Sequence, residues 1–160
     1  MASWKDVSAA APELAAVVQE RFDAHKHKVM ATLRKDGSPR ISGIEASFAD
    51  GELWLGGMWK SLKFLDLQRD PRLALHCAPV EPETTSSVGD VIDVKLAGRA
   101  VIVTDPKTVE KFAQGAPPEP MHLAKVDVTD VVSIRVGDPA DHLVIDSWNP
   151  QRGLRSEKRY

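Results

Sequence analysis

The 160 residues carry 21 Lys and Arg against 23 Asp and Glu, a net charge of −2, and 42% of them are hydrophobic. This length suits one domain (1–160) with a core that needs no staples, and the balanced charge lacks the basic excess that nucleic-acid binding requires. Apolar runs fall far short of the roughly 20 residues of a membrane helix, Met1–Asp6 shows no basic-then-apolar leader, and a lone Cys77 permits neither an intrachain disulfide nor a multi-cysteine zinc site. The expectation is a cytoplasmic protein with no nucleic-acid, membrane or metal partner.

The first expected element is a helix over residues 10–24. Leu14, Val17, Val18 and Phe22 repeat at i, i+3, i+4 and i+8, and Pro12 and Glu13 suit its first turn. The period then changes to that of strands. Lys28 to Leu33 reads as a strand, Lys35 to Pro39 as a turn carrying Asp36-Gly37, and Arg40 to Phe48 as the return strand. A second Asp-Gly pair, Asp50-Gly51, leads into a third strand at Leu53 to Gly57. A short helix follows from Ser61, its expected N-cap, to Pro71, which stops it. Leu62, Leu65 and Arg69 fall near one face of that helix, flanked by Phe64 and Leu67.

Arg72 to Cys77 reads as the next strand, and the Pro-, Thr- and Ser-rich stretch Pro79 to Gly89 as an exposed loop. Asp90 to Val103 is a long strand by its alternation, with Gly98 marking a bulge. Pro106 to Ala113 is a short helix capped by Asp105, and Gly115 to Pro120 a loop. Strands at Leu123 to Val136 and His142 to Trp148 complete the set, and residues 149–160 read as a flexible basic tail. Six or seven strands with two or three short helices predict a mainly β protein built on a closed or partly closed antiparallel barrel.

Chemistry concentrates where the third strand meets the second helix. Gly56 and Gly57 admit close approach, and Ser61 and Lys63 open a helix whose free amides and dipole favour an anion. The alternative is purely local: a Gly-Gly strand end, a capping serine and a solvated lysine. Elsewhere His25 and His27 read as solvated, and neighbouring His76 and Cys77 point to opposite faces of a strand, which separates a base from a nucleophile. Glu45 reads equally as a site carboxylate or a rim ion pair, and His122 follows a Pro-rich loop. No catalytic residue or metal ligand is assigned.

The run from Met30 to Pro79 resembles the pyridoxamine 5'-phosphate oxidase-like split β-barrel family of FMN- and deazaflavin-binding proteins. The similarity rests on "ATLRKDGSPRISG", "FADGELWLGG" and "KSLKFLDLQRDPRLALHCAP", with Gly37-Ser38-Pro39, Ser61-Leu62-Lys63 and Asp70-Pro71-Arg72 in the family's order. The resemblance implies that Ser61 and Lys63 contact a cofactor phosphate, that Gly57 and Met58 lie beside the ring or its ribityl chain, and that Ser42 and Gly43 border the ring edge. It implies FMN as cofactor, with the deazaflavin coenzyme F420 as the alternative, because Leu62 stands where the oxidases usually have Arg. It further implies a homodimer with Trp148, Arg152 and Arg155 resembling the C-terminal Trp and Arg residues that reach the site across the dimer. No Arg-x-His-x-x-Arg segment is present, so the vitamin itself is not the expected substrate.

Three functions follow from these readings. The first is an oxidoreductase that passes hydride between the cofactor and a small conjugated or carbonyl-bearing substrate. The second is a non-catalytic flavin- or tetrapyrrole-binding protein that uses Trp54, Trp59 and Trp148 as stacking walls. The third is a barrel that has lost its cofactor.

Overall fold

Two Asp-Gly turns fix the register of the first three strands in the computed structural model, which describes residues 1–77, 89–112 and 120–160. β1 (His27–Leu33) and β2 (Pro39–Ala49) are joined by a turn in which Gly37 is left-handed at φ 84°. There the Asp36 carboxylate accepts the Ser38 amide at 3.0 Å and its hydroxyl at 2.7 Å. β2 and β3 (Glu52–Met58) are joined by Asp50 and Gly51 alone, at φ 54° and 75°. Paired positive φ values make this the two-residue turn whose twist matches an antiparallel ribbon.

Ahead of these strands the single helix expected over 10–24 is two helices, α1 (Trp4–Ala10) and α2 (Pro12–Asp23). Ser3 and Asp6 close a reciprocal capping box on α1, and Ala11, non-helical at φ −146° and ψ 66° ahead of Pro12, separates the two. α2 buries Leu14, Val18 and Phe22 of the expected stripe together with Ala15, while Val17 is only partly buried. Trp4 and Phe22 both pack on Phe48, with ring centroids 4.4 and 5.9 Å away.

α3 (Leu62–Arg69) leads into β4 (Arg72–His76), and β5 (Val91–Val103), α4 (Pro106–Phe112), β6 (Met121–Val136), β7 (Leu143–Asn149) and β8 (Gly153–Arg159) follow. Most of the loops expected at Pro79–Gly89 and Gly115–Pro120 lies outside the described residues. The strands lie in the order β3-β2-β1-β4-β5-β6-β7-β8, and a further β3–β6 pairing closes the first six into an antiparallel barrel. β6 can serve both neighbours because it is long. Met121–Lys125 pair with β3, while Val131–Val136 pair with β7. The expected bulge is present: the β5–β6 register shifts at Ala97/Gly98, where a Cβ on Gly98 would lie 2.5 Å from the Asp127 carbonyl oxygen. Met30, Ile44, Leu53, Leu55, Leu75 and Leu96 fill the interior.

Two expectations are corrected. Residues 153–159 are a strand, paired with β7 from Leu143↔Arg159 to Asn149↔Gly153, not a flexible tail. Every residue of β8 is exposed, so no apolar alternation marks it in sequence. α3 buries Phe64, Asp66 and Leu67, while Leu62 and Leu65 face outward. Asp66 is the reason. Its carboxylate accepts from Arg40 Nε at 2.6 Å, Thr32 Oγ1 at 2.9 Å and Arg69 at 3.1 Å, and Arg69 also reaches the Leu33 carbonyl. A buried charge needs such partners, and these lie on β1 and β2, so the helix turns that face inward.

Burial raises the Asp66 pKa, but the hydrogen bonds from Arg40, Thr32 and Arg69 more than reverse this and hold the carboxyl below its usual range. A carboxyl depressed on folding contributes stability that is complete above its unfolded pKa and lost as pH falls through the folded value. Asp66→Asn is therefore expected to lower unfolding free energy by about 2 kcal/mol at neutral pH, and its deficit against the wild type should shrink in urea titrations below about pH 4. At the end of β3, a Cβ on Gly57 would stand 2.3 Å from the Phe64 ring, whereas one on Gly43 meets nothing within 4 Å. Gly57→Ala should cost about 1–3 kcal/mol by overpacking, and Gly43→Ala should leave thermal stability within about 0.5 kcal/mol of the wild type.

Candidate functional site

The corner between β3 and α3 is assembled with the two strands that flank β3, β2 and β6. Gly57 pairs with His122 of β6, and the absent side chain lets Phe64 of α3 lie against the strand. Phe64 stacks on the His122 imidazole at 5.1 Å, and Trp59 stacks on it at 4.7 Å. Between them Lys60 adopts a left-handed backbone, φ 59°, and its amide donates to His122 Nε2 at 3.1 Å. The Ser61 amide then donates to the Met58 carbonyl at 3.1 Å, which completes the turn into α3.

Ser61 is the N-cap of α3, but only through its backbone. Its carbonyl accepts the amides of Phe64 and Leu65, while its hydroxyl makes no capping bond. The hydroxyl oxygen is buried and has no hydrogen-bond partner among the described residues. A buried hydroxyl left without a partner is costly, and this one stands at a helix N-terminus where the Leu62 and Lys63 amides precede the first bond to the Ser61 carbonyl. Lys63, two residues on, reaches back to β2 and donates its ammonium to the Gly43 carbonyl at 2.6 Å. The structure thus brings Ser42, Gly43, Gly57, Met58, Ser61 and Lys63 to one corner. The Ser61 hydroxyl, the opening of α3 and the Lys63 ammonium, itself bonded to the Gly43 carbonyl, lie within three residues of chain there, and these are donor types suited to a phosphate.

Other sequence-derived candidates lie elsewhere. Trp148 pairs with Val131, ten residues along β6 from Met121, the partner of Met58. That separation is roughly 33 Å on an extended strand. Trp148 is buried, Arg152 is 3.6 Å from Asp130, and Arg155 lies on β8 opposite Ser147. Within one chain none of the three joins the Ser61–Lys63 corner. Of the three tryptophans considered as stacking walls, Trp54 and Trp148 are packed into the protein, Trp54 against Phe112 at 4.3 Å, and Trp59 is half exposed.

Glu45 forms a rim ion pair with Lys26 at 3.1 Å. His76 contacts the backbone carbonyl of Cys77 and the Asp93 carboxylate, and the Cys77 thiol is buried. Asp70-Pro71-Arg72 is a turn clamp. Asp70 accepts the Arg72 amide and guanidinium, and those hydrogen bonds bring its pKa down to about 2. A shallow pocket of about 210 Å³ between the β1–β2 hairpin and β4 contains none of the corner residues.

Sequence reasoning noted His122 only as following a Pro-rich loop, ahead of the strand expected from Leu123. It is buried, and burial lowers its pKa below the ordinary imidazole value. Its partner Lys60 lies 62 residues earlier, so only the β3–β6 closure reveals the contact. A histidine at the start of a strand carries no local signal of it.

The family model for pyridoxamine 5'-phosphate oxidase matches residues 14–135, well over half of the chain. No curated protein matches it in sequence. Among solved structures, a pyridoxamine 5'-phosphate oxidase-related, FMN-binding protein from Nostoc punctiforme PCC 73102 is similar at 15% identity with a TM-score of 0.62, over 91% of this chain and 94% of its own. HupZ of Group A Streptococcus is similar at 15% identity and a TM-score of 0.60, over 76% and 94%. An F420 reductase is similar at 20% identity and a TM-score of 0.50, over 71% and 91%. At these identities the likeness is one of fold, a barrel shared across the three. The matched stretch includes both the hairpins that start this barrel and the corner that follows them, and the chain belongs to the pyridoxamine 5'-phosphate oxidase family.

Proposed function

We propose that this protein is a flavin- or deazaflavin-dependent oxidoreductase that acts as a homodimer on a small conjugated or carbonyl-bearing substrate. The observation that carries the reading is the unpartnered Ser61 hydroxyl beside Lys63 at the start of α3. The residues present fit a phosphorylated cofactor. Ser61, the first-turn amides and Lys63 would hold the phosphate, and Gly43, above which a side chain would meet open space, leaves room beside β2 for a flat ring. When bound, a flavin or deazaflavin supplies hydride transfer. The chain's own part is to bind, orient and exclude water, which needs no acid–base dyad. The FMN-binding and F420-reductase descriptions of the structural neighbours support this class of cofactor. Leu62 leaves Lys63 as the first-turn cation, a weaker match to a dianionic phosphate than an added guanidinium, so both cofactors remain in the proposal.

The dimer is supported by the outer face of β2, β1 and β4. Ile41 is 75% exposed and Val29 40% exposed, and the Ile41↔Ala31↔Ala74 register extends this apolar face across three strands. In a symmetric pair, Arg152 and Arg155 of β8 would approach the corner of the second copy, which they cannot reach in their own.

Titration with FMN and with coenzyme F420, followed by absorbance and fluorescence, is expected to give saturable binding of one of them. Lys63→Ala should weaken it by about 1.5–3 kcal/mol, the worth of a charged hydrogen bond. Binding of neither tighter than millimolar rejects the cofactor reading. Reduction of the bound cofactor by a pyridine nucleotide or reduced F420, then reoxidation by an organic acceptor, is expected of an enzyme. Binding without turnover would instead identify a carrier. Ile41→Glu should give a monomer by light scattering and, if the sites are shared, lose cofactor affinity with it.

A further inference from the structure

Lys60 is a non-glycine residue held at φ 59°, a conformation that costs roughly 1 kcal/mol for an L-residue and persists only where its surroundings enforce it. The enforcing contact is its amide donating to His122 Nε2 at 3.1 Å. A backbone N–H can only donate, so Nε2 must carry the lone pair and the ring proton of neutral His122 sits on Nδ1. The ring cannot turn away. Trp59 and Phe64 sandwich it at 4.7 and 5.1 Å, with the Phe64 plane tilted by only 9°, and Gly57 opposite it on β3 leaves the space that Phe64 fills.

We propose that His122 is a positioning residue that latches the β3–α3 corner: by holding the Lys60 amide it fixes where the following residue, Ser61, presents its hydroxyl to an anion. The proposal rests on the reading of Ser61 and Lys63 as an anion cradle and assigns His122 no contact with the ligand. The latch opens with acid, because a proton added to Nε2 replaces an acceptor with a donor that faces a donor. Of the charged residues on the packed elements, Lys60 meets the ring through its backbone amide, Lys63 of α3 is bonded to the Gly43 carbonyl, and Asp66 and Arg69 of α3 are bonded to each other and to the β1–β2 ribbon. β3 presents Gly57 to it, β5 ends nearby at Val103, and Met121 and Leu123 flank it on β6. Among the described residues burial is what displaces its pKa, and the direction is downward. A histidine depressed on folding contributes stability that is present above its ordinary pKa and lost as pH falls through the folded value, so the corner loosens below the usual imidazole range.

The test uses the full chain with two probes: FMN, compared at one neutral pH because its phosphate titrates at about pH 6, and inorganic sulfate, whose charge is constant across the range studied. His122→Phe keeps an aromatic ring in the sandwich and removes the acceptor. His122→Gln offers Oε1 at about the reach of Nε2. Amide hydrogen exchange at Lys60 in the free protein should accelerate about fivefold or more in His122→Phe, and affinity for both probes should fall about five- to tenfold, the effect of one lost hydrogen bond. His122→Gln should stay within about twofold of the wild type, and wild-type sulfate affinity should fall relative to His122→Gln as pH is taken below the ordinary imidazole pKa.

Unchanged Lys60 exchange and unchanged binding in His122→Phe would overturn the latch, as would a His122→Gln protein that binds as poorly as His122→Phe. Coincident pH profiles of wild type and His122→Gln would also overturn it, and this comparison holds even if His122→Phe fails to fold. If the wild type binds sulfate and protects Lys60 but takes up neither cofactor, the cofactor reading fails and the latch stands.

Discussion

A buried carboxylate fixes where the third helix sits, and the candidate site follows from that placement. Asp66 draws hydrogen bonds from Thr32 on β1 and Arg40 on β2, while Arg69, one turn along α3, bonds both Asp66 and the Leu33 carbonyl. These contacts tie the middle and end of α3 to the β1–β2 ribbon. A surface ion pair contributes little to such a placement. This one is removed from water, and breaking it would leave a charge with no solvent to turn to. The helix is therefore set in one rotation about its axis, and its N-terminus lies beside the Gly43 carbonyl where Lys63 lands.

The helix is held at three points by different chemistry. Hydrophobic packing of Phe64 over Gly57 and His122 holds its first turn, the Asp66 cluster its middle, and the Asp70–Arg72 clamp its exit into β4. Only at the first of these does a contact depend on a neutral imidazole, the Lys60 amide bond to His122 Nε2. The electrostatic anchors are carboxylates that stay ionised well into acid, so a drop in pH acts on one end of the element and spares the other.

Features written in short-range chemistry were legible in the sequence. The Asp36-Gly37 and Asp50-Gly51 turns, the α2 stripe from Leu14 to Phe22, the Gly98 bulge and the Asp105 cap each depend on residues within one turn or one strand pair. α1 was missed in the sequence: its few apolar residues hid it from a search by periodicity, although Ser3-x-x-Asp6 is a local start signal. The buried face of α3 was not legible. Periodicity assumes that the apolar side turns inward, and here partners 26 and 34 residues away draw Asp66 inside and leave Leu62 and Leu65 outside. The site divides in the same way. Ser61 and Lys63 were marked by the helix start and by the order of motifs, whereas the part of His122 depends on a barrel closure that no local pattern encodes.

The division of β6 between two neighbours has a consequence at the far margin of the sheet. Where β3 ends its pairing, β7 takes up the same edge, and β8 is left outermost with a free row of backbone donors and acceptors. Such a margin invites strands from other molecules and seeds aggregation. Arg155, Glu157, Lys158 and Arg159 stand along it, so a chain docking there would have to strip water from a charge at nearly every step. The polar composition that disguised this strand as a loose end is what keeps its margin from being extended.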